Sequence, residues 1–88
     1  MEKKISLYIL LPEYHKRFNY LVPQTMLTET VIKLVCKSLK KLGFSVKEPS
    51  LCRLISTSNG MVLPASKSMY EAGVTDGNEL ILLGGYYG

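Results

Sequence analysis

At 88 residues, 47% of them hydrophobic and 20% charged, the chain has the composition of one small globular domain, which excludes a disordered segment and leaves little core to spare. Eleven Lys and Arg against seven Asp and Glu give a net charge of +4, a mild basic excess without the interleaved aromatics that a nucleic-acid surface calls for. No apolar run approaches the ~20 residues of a membrane span, and "MEKKISLYILLP" lacks the cleavage site of a secretory signal, so a cytoplasmic protein is expected.

Residues 5–11 alternate, with Ile5, Leu7, Ile9 and Leu11 on one side and Ser6, Tyr8 and Leu10 on the other. That period of two predicts a strand whose outer face is less polar than usual. "PEYHK" reads as a turn with a solvated His15. "RFNYLV" then places Phe18, Tyr20 and Val22 on one face, and Pro23 ends the run. The first two strands are expected to form an antiparallel hairpin with a loop of about five residues.

Thr28 is placed to cap a helix, with Glu29 in its first turn. Val31, Ile32, Val35, Cys36, Leu39 and Leu42 recur at three- and four-residue steps, which makes one apolar stripe. Gly43 followed by Phe44 suits a left-handed C-cap with an apolar contact after it. The helix is thus expected to run about fifteen residues. Lys33, Lys37, Lys40 and Lys41 fall on its solvated face, where the last two also suit the negative end of the macrodipole.

"SVKEPS" reads as a loop and "LCRLIST" (51–57) as a strand. Ser58, Asn59 and Gly60 read as a hairpin turn, because Asn-Gly tolerates positive φ at both central positions. "MVLP" (61–64) is expected to return as a short strand. Ser68 is placed to cap a helical turn through "MYEAGV", "TDG" (75–77) turns the chain, and Leu80 and Leu82 alternate with Ile81 and Leu83 in a last strand. The order is hairpin, helix, hairpin, helical turn, strand, with one helix covering one face of a mixed four- to five-stranded sheet. Residues 1–83 form the domain and 84–88 a short tail.

Cys36 and Cys52 are too few for a disulfide scaffold and are expected to be reduced in a cytoplasm. With the lone His15 they do not make four zinc ligands, so neither metal nor cofactor is expected. No nucleophile is paired with a base and no glycine loop is built to hold phosphate. The expectation is a non-enzymatic chain.

The element order is that of the ubiquitin-like β-grasp fold, and "SMYEAGVTDGNELIL" resembles the late segment of that superfamily. "RLI" (53–55) falls where ubiquitin carries the same three residues in its third strand. "LVPQTMLTETVIKLVCKSL" (21–39) is similar in order and spacing to the YukD/EsaB family of small bacterial ubiquitin-like proteins, in which "VP" precedes a helix of the type "xxLIxLVxxSL". The resemblance implies an α+β fold and a cytoplasmic accessory or regulatory part of a type VII (ESX/Ess-like) secretion system. Its implied partners are protein components of that machine, its FtsK-like ATPase or membrane subunits among them.

Strand alternation also selects a surface. With Leu54, Leu80 and Leu82 inside, the residues Tyr8, Leu10, Ile55, Ile81 and Leu83 face away from the helix, rimmed by Arg53. In the ubiquitin-like arrangement the first, third and last strands are neighbours, so these side chains make one apolar patch for a partner or for a second copy in a homodimer. An alternative reading uses Gly84 and Gly85 as the conjugation tail of a modifier or sulfur carrier. It requires removal of Tyr86, Tyr87 and Gly88, and the pair would lie almost flush with the last strand. Anion binding through the lysine face is a third reading, and it predicts a steep salt dependence.

Overall fold

Alternation builds the first hairpin. β1 (Lys4–Leu11) and β2 (Lys16–Pro23) pair antiparallel, with Leu7 opposite Tyr20 and Ile9 opposite Phe18. The structure, a computed structural model, describes residues 3–46 and 48–84. Ile5, Leu7, Ile9, Leu11 and Val22 are buried, and Phe18 and Tyr20 pack half-buried against the same core. The loop is tighter than the five residues expected. A 3-10 turn at Pro12–Tyr14 uses the fixed φ of its proline, and an exposed His15 closes it in the left-handed region at φ 52°.

The helix α1 spans Thr28–Lys41 and buries Val31, Ile32, Val35, Cys36 and Leu39. Leu42, expected on that stripe, is instead the C-cap and 58% exposed. The end is a Schellman motif: Phe44 N–H donates to the Leu39 carbonyl (3.0 Å) and Gly43 N–H to that of Lys40 (3.1 Å), with Gly43 at φ 94°. Phe44 then meets the rings of Tyr14 and Phe18 edge-on, at centroid distances of 4.8 and 6.0 Å.

The other end of α1 departs from expectation. Thr28 does not cap the helix through its side chain; Leu27 occupies the cap position. The Thr28 hydroxyl and N–H both donate to the Lys67 carbonyl (2.9 and 2.8 Å), and Glu29 N–H donates to Ala65 O (3.1 Å). The unpaired donors of the first turn are thus satisfied by a loop 39 residues further along. Local sequence carries no trace of that partner.

β3 is shorter than predicted, Arg53–Ser56, because a 3-10 turn at Pro49–Leu51 takes the preceding residues. "MVLP" does not form a strand. It contributes one bridge, Val62 to Ile55, with Leu63 N–H donating to Leu54 O (2.9 Å). Pro64, which has no N–H, stops further pairing. The turn between them also differs: Gly60 has positive φ but Asn59 does not, and Gly60 N–H donates to Ser56 O (2.9 Å). A four-residue loop replaces the two-residue Asn-Gly turn.

Ser68 does cap the turn that follows. Its hydroxyl accepts from Glu71 N–H (3.0 Å) and its N–H donates to the Glu71 carboxylate (3.0 Å), a reciprocal capping box. Asp76 then accepts from Ser6 N–H (2.6 Å), and Gly77 N–H donates to Ser6 O (2.8 Å), which anchors the start of β4 (Asn78–Leu83) beside β1.

The sheet order is β2-β1-β4-β3, with β1 and β4 parallel and the other pairs antiparallel. α1 and the core side chains occupy one face. Leu54, Leu80 and Leu82 join the core at 1% exposure or less, and burying each such side chain stabilises by about 1.5–3 kcal/mol. One helix on a mixed four-stranded sheet is the ubiquitin-like β-grasp arrangement, an α+β fold.

Candidate interaction surface

Register decides what the helix-free face presents. Ile81 in β4 lies opposite Leu10 of β1 on one side and opposite Ile55 of β3 on the other. Ile55 in turn bridges Val62. Leu10, Ile81, Ile55 and Val62 therefore form one apolar row running across the strands. Leu10, Ile55 and Ile81 are half-buried by their neighbours, whereas Val62 is 50% exposed. Leu83, 42% exposed, continues the patch opposite Arg53.

The row includes a residue that strand alternation leaves out. The sequence reading places Val62 on a short returning strand and not on the surface. In the structure Leu63 is buried and Val62 beside it faces out.

Tyr8 and Arg53 are in place but differ in character from the aliphatic row. The Arg17 guanidinium lies 4.6 Å from the centroid of the Tyr8 ring and 3.1 Å from the Glu79 carboxylate. Tyr8 sits opposite Glu79 in the β1–β4 pair, so one end of the face is a polar stack across three strands. Arg17 and Glu79 are 57% and 40% exposed, and solvent screening keeps their ion pair below about 1 kcal/mol. Cation–π stacking on Tyr8 adds about 0.5–1 kcal/mol. The Arg53 guanidinium folds back to donate to the carbonyls of Cys52 (2.8 Å) and Ser50 (3.0 Å). It rims the patch as an anchored cation.

Gly84 continues from β4 with φ 76°, and a β-carbon there would stand 2.8 Å from the Leu51 carbonyl oxygen. Gly85 and residues 86–88 lie outside the described residues. On the opposite side of the molecule Lys33, Lys37, Lys40 and Lys41 are exposed along α1. A groove of about 510 Å³ separates the start of α1 from the 49–53 and 62–65 segments, with Glu29 and Lys33 on one wall and Pro49, Arg53 and Pro64 on the other.

A half-buried tyrosine and a buried cysteine have displaced titrations. Burial pushes the Tyr20 phenol up, against the lowering effect of its hydrogen bond to Ser38 (3.0 Å). Burial, with the adjacent Cys52 thiol, pushes Cys36 up to about 12. Neither group faces the apolar row. Among the described residues no helix is long and apolar enough to cross a membrane, and no three His, Cys, Asp or Glu side chains are grouped to hold a metal. What the face can do is exclude water against another apolar surface, with Arg53 and the Arg17–Glu79 pair as polar margins.

No protein-family model and no curated protein matches the chain. Solved structures do. The N-terminal ubiquitin-like domain of the 4931431F19Rik protein superimposes with a TM-score of 0.77 at 15% identity, over 96% of this chain and 77% of that one. The UBL domain of Plasmodium falciparum Dsk2 gives 0.74 at 19% identity, covering 91% and 96%. Caldiarchaeum subterraneum ubiquitin gives 0.73 at 21% identity, covering 91% of each chain. At these identities the likeness is one of fold.

Proposed function

We propose that this chain is a non-enzymatic ubiquitin-like docking module that serves a bacterial type VII secretion system from the cytoplasm, and that it binds through the outer face of its sheet. The observation that carries the reading is the continuous row Leu10–Ile81–Ile55–Val62, extended by Leu83. Monomeric proteins rarely leave a contiguous apolar patch without a use, and this one runs from the central strands β1 and β4 across the edge strand β3 to Val62. Its partner is a protein surface, with a component of the secretion machine as the occupant, either the FtsK-like ATPase or a membrane subunit.

The link to secretion rests on the stretch "LVPQTMLTETVIKLVCKSL" and its similarity to the YukD/EsaB pattern. In the fold, that stretch is the end of β2, its connection and most of α1. A photoreactive amino acid at position 55, compared with one at position 37 on the lysine face, tests both parts of the reading in the native cell. The module reading expects position 55 to capture an ATPase or membrane subunit of the machine while position 37 does not. Capture from position 37 alone would overturn it.

A further inference from the structure

The two cysteines of the chain meet in the core. Cys36 belongs to the buried stripe of α1 and Cys52 precedes β3. Their sulfurs are 3.5 Å apart, with exposures of 2% and 0%, and both are free thiols. A disulfide bond is ~2.05 Å long, so closing one requires the sulfurs to approach by about 1.5 Å. Buried cysteines often serve as small apolar side chains. That role does not require sulfur against sulfur, and no third thiol competes for either partner.

The surroundings of Cys52 supply a route to it. Its Sγ lies 3.6 Å from the Glu48 carbonyl, and the stretch that covers it is exposed at Glu48, Ser50 and Leu51. Cys52 also lines the groove beside α1. Reaching Cys52 therefore requires this short 3-10 turn beside the groove to open locally, as short exposed segments do more readily than core elements.

We propose that Cys36 and Cys52 are a redox site, a dithiol that closes to an intrachain disulfide and bolts α1 to the 49–53 segment. The oxidant is a small disulfide of the glutathione class. Cys52, deprotonated while its cover is open, attacks one sulfur of the small disulfide; that S–S bond breaks and one small thiolate leaves. Cys36 then gives up its proton and attacks the Cys52 sulfur, expelling the second small thiolate. Two protein thiols lose two electrons and two protons, and the oxidant ends as two thiols. Burial holds the Cys36 thiol neutral in the closed fold, so opening sets the rate.

The consequence reaches the surface. The segment that would be pinned carries the two carbonyls that hold Arg53 and the Leu51 carbonyl that leaves no room for a β-carbon at Gly84. Oxidation therefore stiffens one margin of the outer sheet face. The redox chemistry itself stands apart from the proposed secretion role.

The test equilibrates the full chain, folded, in buffers of reduced and oxidised glutathione near pH 8, followed by acid quench and intact-mass measurement. The expected product is lighter by two hydrogens, carries no glutathione and runs as a monomer on a non-reducing gel. Its melting temperature lies roughly 10 °C or more above that of the reduced chain, as a loop of about fifteen residues is closed. Cys36→Ala and Cys52→Ala each lack the lighter product. Wild-type chain that stops as a glutathione adduct, cross-links between molecules, or stays reduced in fully oxidised buffer overturns the proposal. The wild-type mass and melting readouts suffice even where a cysteine variant is too destabilised to fold.

Discussion

Gly84 lies close enough to the backbone of Leu51 to leave no room for a side chain. A β-carbon at position 84 would stand 2.8 Å from the Leu51 carbonyl oxygen, a clash with a backbone atom, and φ there is +76°. Glycine is required on both counts. Gly84→Ala is expected to cost about 1–3 kcal/mol, seen as a lower urea midpoint at unchanged slope. Gly43→Ala is the comparison. Gly43 has φ +94°, but a β-carbon there would meet nothing within 4 Å, so it bears the backbone cost alone and loses less.

The same contact bears on the diglycine. A conjugation handle works as a free strand inside an activating enzyme, whereas a side chain at Gly84 would meet the Leu51 carbonyl, so the first glycine of the pair lies close to the body of the domain. Intact-mass measurement of the chain from its own cell is expected to show no species ending at Gly85 and no lysine adducts of such a species. Either one would revive the modifier reading.

Adjacent residues of β4 provide a test of the face assignment. Leu80 is 1% exposed in the core, whereas Ile81 lies on the outer row. Leu80→Ala is expected to cost about 2–5 kcal/mol and Ile81→Ala about 1 kcal/mol. Equal losses in chemical denaturation would mean that the outer face is covered within the monomer.

Acid should weaken the Ser68 capping box. The Ser68 N–H, and then its hydroxyl, hold the Glu71 carboxyl below the usual carboxylate value. A carboxyl with a depressed folded pKa stabilises above its unfolded pKa and loses that contribution as pH falls through the folded one. The stability difference between the parent and Glu71→Gln is therefore expected to be constant near neutrality and to shrink below about pH 4. A difference independent of pH down to 2 would contradict the capping role.

Much of this is legible in the chain because periodicity and turn chemistry are local. The stripe of α1, its Gly43–Phe44 stop, the Ser68 cap and the inward leucines of β4 all follow from spacings of two to four residues. What escapes is set by partners far along the chain. Thr28 is a sound N-cap by type, yet the 65–67 loop offers its carbonyls instead. Asp76 reads as a turn residue, and its bond to Ser6 N–H exists only because β4 enters beside β1. Alternation places Tyr8 on the outer patch without showing that Arg17 and Glu79 would cover it, since their approach depends on register across three strands. Val62 is missed because it joins the row through a single bridge to Ile55, not through the returning strand that the sequence predicts.

We propose the outer row as the docking surface of the protein. The most direct test is secretion of a type VII substrate by cells whose only copy carries Ile55→Asp and Ile81→Asp, with the level and melting behaviour of the variant checked alongside. Secretion is expected to be lost while the variant remains folded and present at the parental level. Undiminished secretion with both charges on the face would contradict it.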